Sequence, residues 1–237
     1  MSQAKPASPP YKKSVPREYL ESVVVAVILA LFIRTFVVQA FKIPTGSMET
    51  NLLIGDHLLV NKLVYSPSLG SLEDRLLAKK PIERGHVVVF KFPEDPARDF
   101  IKRVVGLPGE TIEIRDKQVL VNGKPLAEPY VHFLEPPLAR NDPEYGLRAD
   151  GLRDNWGPEV VPAGRLFVLG DNRDNSRDSR FWGFLPIDQV KGRALMVYWS
   201  YEASREEYHR TGALDWIRDT LAAFGKTRWS RFFHLIR

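Results

Sequence analysis

The sequence predicts a mainly β protein: a β-rich core with an inserted β-ribbon domain, preceded by one N-terminal helix of membrane-spanning length and followed by a short C-terminal helix. Three observations carry this. Short runs of β-branched and aromatic residues recur from Phe36 to Trp199 between Gly, Pro and charged turns, the pattern of an all-β barrel or sandwich. One uncharged apolar run, Ser22 to Ile33, comes before them. A proline-rich stretch with little periodicity, residues 128–163, interrupts the strands as a long excursion.

The composition of the 237 residues, 44% hydrophobic and 27% charged, suits one main globular domain with an appendage. The absence of cysteine excludes disulfides, thiolate metal sites and a cysteine nucleophile. The net charge of +5 sits at the chain ends. Lys5, Lys12, Lys13 and Arg17 outweigh Glu18 at one end, and Lys226, Arg228, Arg231 and Arg237 crowd the other, so the body between is slightly acidic. A nucleic-acid domain would carry its positive surface on the folded body, whereas basic ends beside apolar residues fit anionic lipid. The expected partner is the bilayer, not nucleic acid.

Residues 1–16, rich in Pro, Ser and Lys, read as a solvated tail. Ser2 to Lys5 formally matches an S-x-x-K pattern but lacks its companion motifs, so it carries no chemistry. The run Ser22–Ile33 admits three readings: the apolar region of a secretory signal with Val38-Gln39-Ala40 at its cleavage site, a buried core helix, or a membrane span over residues 17–35. The span is preferred, with Glu21 and Arg34 snorkelling to the interfaces. The basic bias before it places the N-terminus in the cytoplasm.

Strands are expected at Phe36–Phe41, His57–Tyr65, His86–Phe92 and Asp99–Val105, the last ended by Gly106-Leu107-Pro108-Gly109. Residues 66–84 read as a surface loop. Thr111–Arg115 and Gln118–Val121 form a hairpin around Asp116-Lys117, and Asn122-Gly123 makes a second hairpin turn. Leu166–Leu169 and Ala194–Trp199 supply two more buried strands. From Leu214, the spacing of Ile217, Leu221 and Phe224 predicts a helix, either packed on the domain or lying at a membrane interface.

Pro44-Thr45-Gly46-Ser47-Met48 stands just after the apolar segment, and Ser47 is the candidate nucleophile. A serine hydroxyl needs a base. None of the five histidines lies in a triad motif, and Glu49 breaks the G-x-S-x-G pattern around Ser47. A buried lysine can serve instead, because desolvation lowers its pKa. Lys102 lies on an otherwise apolar strand, where alternation turns either it or Arg103 inward. The plain alternative is a pair of edge-strand charges that keep the sheet soluble. The loop Gly170 to Arg180, dense in carboxylate, amide and guanidinium groups, suits a hydrogen-bonded support. It is not a calcium loop, since Arg173, Ser176 and Trp182 fall where ligands, glycine and glutamate belong.

Together these stretches resemble the bacterial type I signal peptidases, membrane-bound Ser-Lys proteases. The resemblance rests on Ile43 to Met48, Gly55-Asp56-His57, Lys102 to Glu110 and Gly170 to Arg180, in that order, and covers the chain from the membrane segment to about Gly192. It implies that Ser47 attacks the scissile carbonyl and that Lys102 is general base. It further implies that the Ser47 N–H and Thr45 hydroxyl form the oxyanion hole, that Ser176 orients the lysine, and that Asp178 and Arg180 form a supporting ion pair. No metal or cofactor is implied.

The implied organisation is a cytoplasmic tail over 1–16, a transmembrane helix over 17–35, a catalytic β domain over 36–106 and 164–213, an inserted β-ribbon domain over 107–163, and a basic amphipathic helix over 214–237. The implied activity is removal of signal peptides from exported preproteins by a monomer at the outer face of the cytoplasmic membrane. Two rivals, a self-cleaving Ser-Lys repressor and a non-catalytic single-span scaffold, lack respectively the apolar segment and any need to unite Ser47, Lys102 and Ser176. The chain departs from the family pattern after Met48, where Thr50-Asn51 replace Pro-Thr. It also offers one span and no cysteine, where many relatives from Gram-negative bacteria have two spans and a disulfide.

Overall fold

The computed structural model describes residues 14–65, 80–134, 151–202 and 225–236. Residues up to Val37 form one unit and Val38–Arg237 another. The first is the helix α1, Val15–Phe32, opened by Pro16 in its first turn and followed by a π-helical turn, Ile33–Val37. Among the described residues no helix is long and apolar enough to cross a membrane. The span expected over 17–35 is therefore not confirmed by this structure. Arg17, Glu18 and Glu21 occupy the first two turns, with Arg17 bonded to Glu21 at 2.9 Å, so the uncharged part begins only at Ser22. The apolar side chains beyond it, Val23 to Phe32, are largely exposed.

The second unit is built on two antiparallel sheets, as expected of a mainly β chain. The larger contains β1 (Val38–Lys42), β2 (Asp56–Asn61), β3 (Val87–Phe92), β4 (Asp95–Gly106), β9 (Arg165–Leu169), β10 (Leu185–Pro186), β11 (Val190–Ser200) and β12 (His234–Leu235). Its order is β1-β2-β11-β3-β4-β9-β10, with β12 added to β11. The smaller sheet, ordered β7-β6-β5-β8, uses β5 (Thr111–Arg115), β6 (Gln118–Val121), β7 (Lys124–Pro125) and β8 (Trp156–Val160). Its β5–β6 hairpin turns through Asp116 and Lys117, both at positive φ, and Asn122-Gly123 repeats the device. Two successive left-handed residues match the right-handed twist of paired strands.

Three apolar clusters fill the body. One joins Ile43, Met48 and Leu52 to residues of β2, β3, β4 and β11. A second seals the smaller sheet to Val105, Phe167 and Leu169, and a third lies around Phe90, Val104 and Leu185. The first fixes the loop between β1 and β2 through Ile43, Met48 and Leu52 and leaves Ser47 and Asn51 to face polar partners.

Two expectations change. The strand expected to Tyr65 ends at Asn61, whose Oδ1 accepts the Leu63 N–H at 2.9 Å and turns the chain into a 3₁₀ helix, Leu63–Tyr65. Such a side-chain bond offers the backbone an alternative to the ladder. The helix expected from Leu214 lies outside the described residues up to 224, but the stretch that follows is not helical to its end. Thr227 bridges to Tyr201, Trp229–Arg231 form a 3₁₀ turn and β12 pairs with β11. The arginines of this tail bond to buried groups of the body, which holds it extended.

Candidate active site

The loop carrying Ser47 leaves β1 at Lys42 and returns as β2 at Asp56. Met48 and Leu52 are fully buried, and Leu52 N–H donates to the Met48 carbonyl at 2.8 Å. Asn172 grips the loop from the far side. Its backbone N–H donates to the Ser47 carbonyl and its side-chain amide to the Gly46 carbonyl, each at 3.2 Å.

β4 is an interior strand, with Lys102 opposite Val88 of β3 and Arg103 opposite Leu169 of β9. Alternation sends the two basic side chains to opposite faces, yet both are buried, at 3% and 2% exposure. The expectation that only one would turn inward fails because both faces of this strand are covered. Lys102 Nζ lies 2.7 Å from Ser47 Oγ and donates to the Ile101 carbonyl at 2.9 Å. Burial lowers its pKa to about 8, against the opposing pull of the Asp178 and Asp171 carboxylates. A neutral amine is therefore accessible near neutral pH, as a general base requires.

The other candidates fall around this pair. Arg180 clasps Asp178 in a buried bidentate pair, Nε to Oδ1 and Nη2 to Oδ2, both at 2.8 Å. Burial pushes the Asp178 carboxyl up, but the Arg180 guanidinium and the Gly170 N–H, 3.0 Å from Oδ2, hold it below its ordinary value. Ser176 is buried; its hydroxyl helps to hold the Asp178 carboxyl below its ordinary value and makes no hydrogen bond to the Lys102 amine in this structure. It borders Gly170, where an added Cβ would collide with Ser176 Oγ and the Ser47 carbonyl. Thr45 is exposed at the rim.

Four further residues, Arg103, Asp171, Asn51 and Asn172, complete the site and were given no site role from the sequence. Arg103 forms a bidentate pair with Asp171 and lies 4.0 Å from the Tyr130 ring centroid. Asn51 donates to Asp171 Oδ2 at 2.8 Å and to the Tyr130 carbonyl at 2.9 Å. With Asn172, these tie the serine loop to the Gly170–Arg180 loop and to β4. The signal was present in the adjacent Lys102-Arg103 and in the three aspartates of the Gly170–Arg180 loop, but which pairs with which depends on the fold. Among the described residues there is no cluster of His, Cys, Asp or Glu able to hold a metal.

The model of the family described as signal peptidase, peptidase S26, matches residues 16–199. The chain belongs to this family. Over 200 residues it is 39% identical to signal peptidase I of Leptolyngbya laminosa, spanning 81% of this chain and 84% of that protein. Signal peptidase I of Aquifex aeolicus is 32% identical over 259 residues, 91% of this chain and 96% of the relative. The solved signal peptidase I of Enterococcus faecalis, 32% identical, covers 48% of this chain and 97% of its own with a TM-score of 0.36. Membership makes this signal peptidase homologue a serine peptidase, a hydrolase.

Proposed function

We propose that the protein is a membrane-anchored serine endopeptidase that removes N-terminal signal peptides from exported preproteins through Ser47 and Lys102. The observation that carries the reading is the 2.7 Å approach of a sealed lysine amine to Ser47 Oγ. Neutral Lys102 takes the Ser47 proton as Oγ attacks the scissile carbonyl. The ammonium so formed returns that proton to the leaving amine, which departs and leaves an acyl-enzyme. Lys102, neutral again, then takes a proton from the water that hydrolyses the ester. The Ser47 N–H and the Thr45 hydroxyl receive the oxyanion, a role in which one donor contributes roughly 3 to 4 kcal/mol. Ser176 orients the amine, and Asp178 with Arg180 supports the loop. Asn51 takes over the restraint of the missing proline by pinning the loop to Asp171.

Anchoring is assigned to α1, whose exposed apolar side chains follow a basic N-terminal segment and suit lipid. The N-terminus is then cytoplasmic and the β body a monomer on the outer face. A single-span scaffold would have no use for a buried lysine beside a serine. The test is a detergent-solubilised enzyme incubated with a preprotein, followed by N-terminal sequencing of the product. The parent is expected to release the mature protein, whereas Ser47→Ala and Lys102→Ala leave the preprotein intact. Near-parent processing by either variant overturns the reading.

A further inference from the structure

The C-terminal tail reaches back to the loop that carries Ser47. Asp56, the first residue of β2, is fully buried and accepts the Leu53 N–H at 2.8 Å. Its charge is met from the tail, by Arg231 Nε to Oδ1 at 3.1 Å and Nη2 to Oδ2 at 2.6 Å. The same Nη2 also donates to the Asn51 carbonyl at 2.7 Å. Arg228 adds a bond to the Ile54 carbonyl at 3.1 Å. The tail is itself fixed by β12 on β11 and by Ile236, which packs against the cluster holding Met48 and Leu52.

We infer that Arg231 is a positioning residue for the Ser47 loop, and that residues 226–236 act as a strap setting the distance between Ser47 and Lys102. Asn51 is held from two sides: its carbonyl by Arg231, and its amide by Asp171, which Arg103 grips one residue from Lys102. The connection therefore runs from the tail, through Asn51, to the strand bearing the base. Thr50-Asn51 leave the backbone freer here than a proline would, so the turn relies on these bonds. Displacing a reacting group by about 1 Å costs on the order of 100-fold in rate. The bland alternative is that Arg231 only neutralises Asp56.

The inference rests on the Ser47–Lys102 reading, and the test separates the two. The full-length Arg231→Gln protein is compared with the parent on a preprotein, well below its melting temperature, for kcat, KM and hydrogen exchange at the Leu52 amide. The expected result is kcat lower by about 10- to 100-fold, KM within about twofold of the parent, and faster exchange at Leu52. Arg231→Lys keeps a charge opposite Asp56 but lacks the fork that serves Asp56 and Asn51 together. It is expected to recover stability more than kcat, and it carries the test alone if Arg231→Gln does not fold. Parent kcat in a folded but less stable variant overturns the positioning role. A parent that leaves the preprotein uncut overturns the underlying reading instead.

Discussion

Arg103 and Asp171 form a bidentate ion pair, Nε to Oδ1 at 2.8 Å and Nη2 to Oδ2 at 2.6 Å, with both side chains sealed from solvent. Breaking such a pair from one side leaves a buried charge unmatched. Arg103→Ala is expected to lower stability by about 3 to 5 kcal/mol. Arg103→Lys recovers only part, since an ammonium cannot present two parallel donors. Urea unfolding of the two variants checks the order.

Lys102 sets the pH dependence. With its amine held near 8 by burial, the neutral fraction and the cleavage rate rise about tenfold per pH unit below that value and level off above it. A pH–rate profile in which the limb is absent would exclude a lysine base.

The same shift acts on stability. Between about 8 and 10.5 the unfolded chain binds a proton that the folded one has lost, so this site makes stability rise with pH across that window and adds no slope below it. Lys102→Met at pH 7 is therefore expected to be inactive yet more stable, by up to about 3 kcal/mol, with the gain shrinking as pH passes 10. Paired urea melts at the two pH values measure it.

Gly170→Ala would drive a methyl group into Ser176 Oγ and the Ser47 carbonyl. Overpacking of this kind costs about 1 to 3 kcal/mol, and here it presses on the backbone of Ser47 itself. The expected outcome is a modest fall in melting temperature with at least a tenfold loss of kcat. A folded variant with parent kcat would show that the loop absorbs the methyl without moving Ser47.

His57 supplies an acid-sensitive element. Burial and the nearby Lys42 lower its pKa to about 4, so from about 6.5 down to 4 the unfolded state takes up a proton that the folded state refuses. Stability then falls as pH drops through that range. His57→Phe, keeping ring contact with Trp199, should flatten this part of the curve in thermal melts.

Strand positions were legible because alternation and turn chemistry act locally: Asp116-Lys117 and Asn122-Gly123 turn where their residue types require. The motif order likewise pointed to Ser47 and Lys102 before any distance was known. The tail was not legible. The course of residues 226–236 depends on Asp56, 175 residues before Arg231, a contact that no local spacing announces. An apolar run likewise reports hydrophobicity but not where its flanking charges fall along the helix, and the structure leaves the span over 17–35 unconfirmed.

By itself, then, the sequence determined the β-rich class and the two hairpin turns, which follow from neighbours in the chain, while the resemblance carried by the spaced motifs pointed to Ser47, Lys102, Asp178 and Arg180. The tertiary structure decided that Lys102 and Arg103 are both buried on opposite faces of β4, that Asn51 reaches Asp171, and that Arg231 closes on Asp56. Those are contacts between charges far apart in sequence, and only packing selects one partner among many.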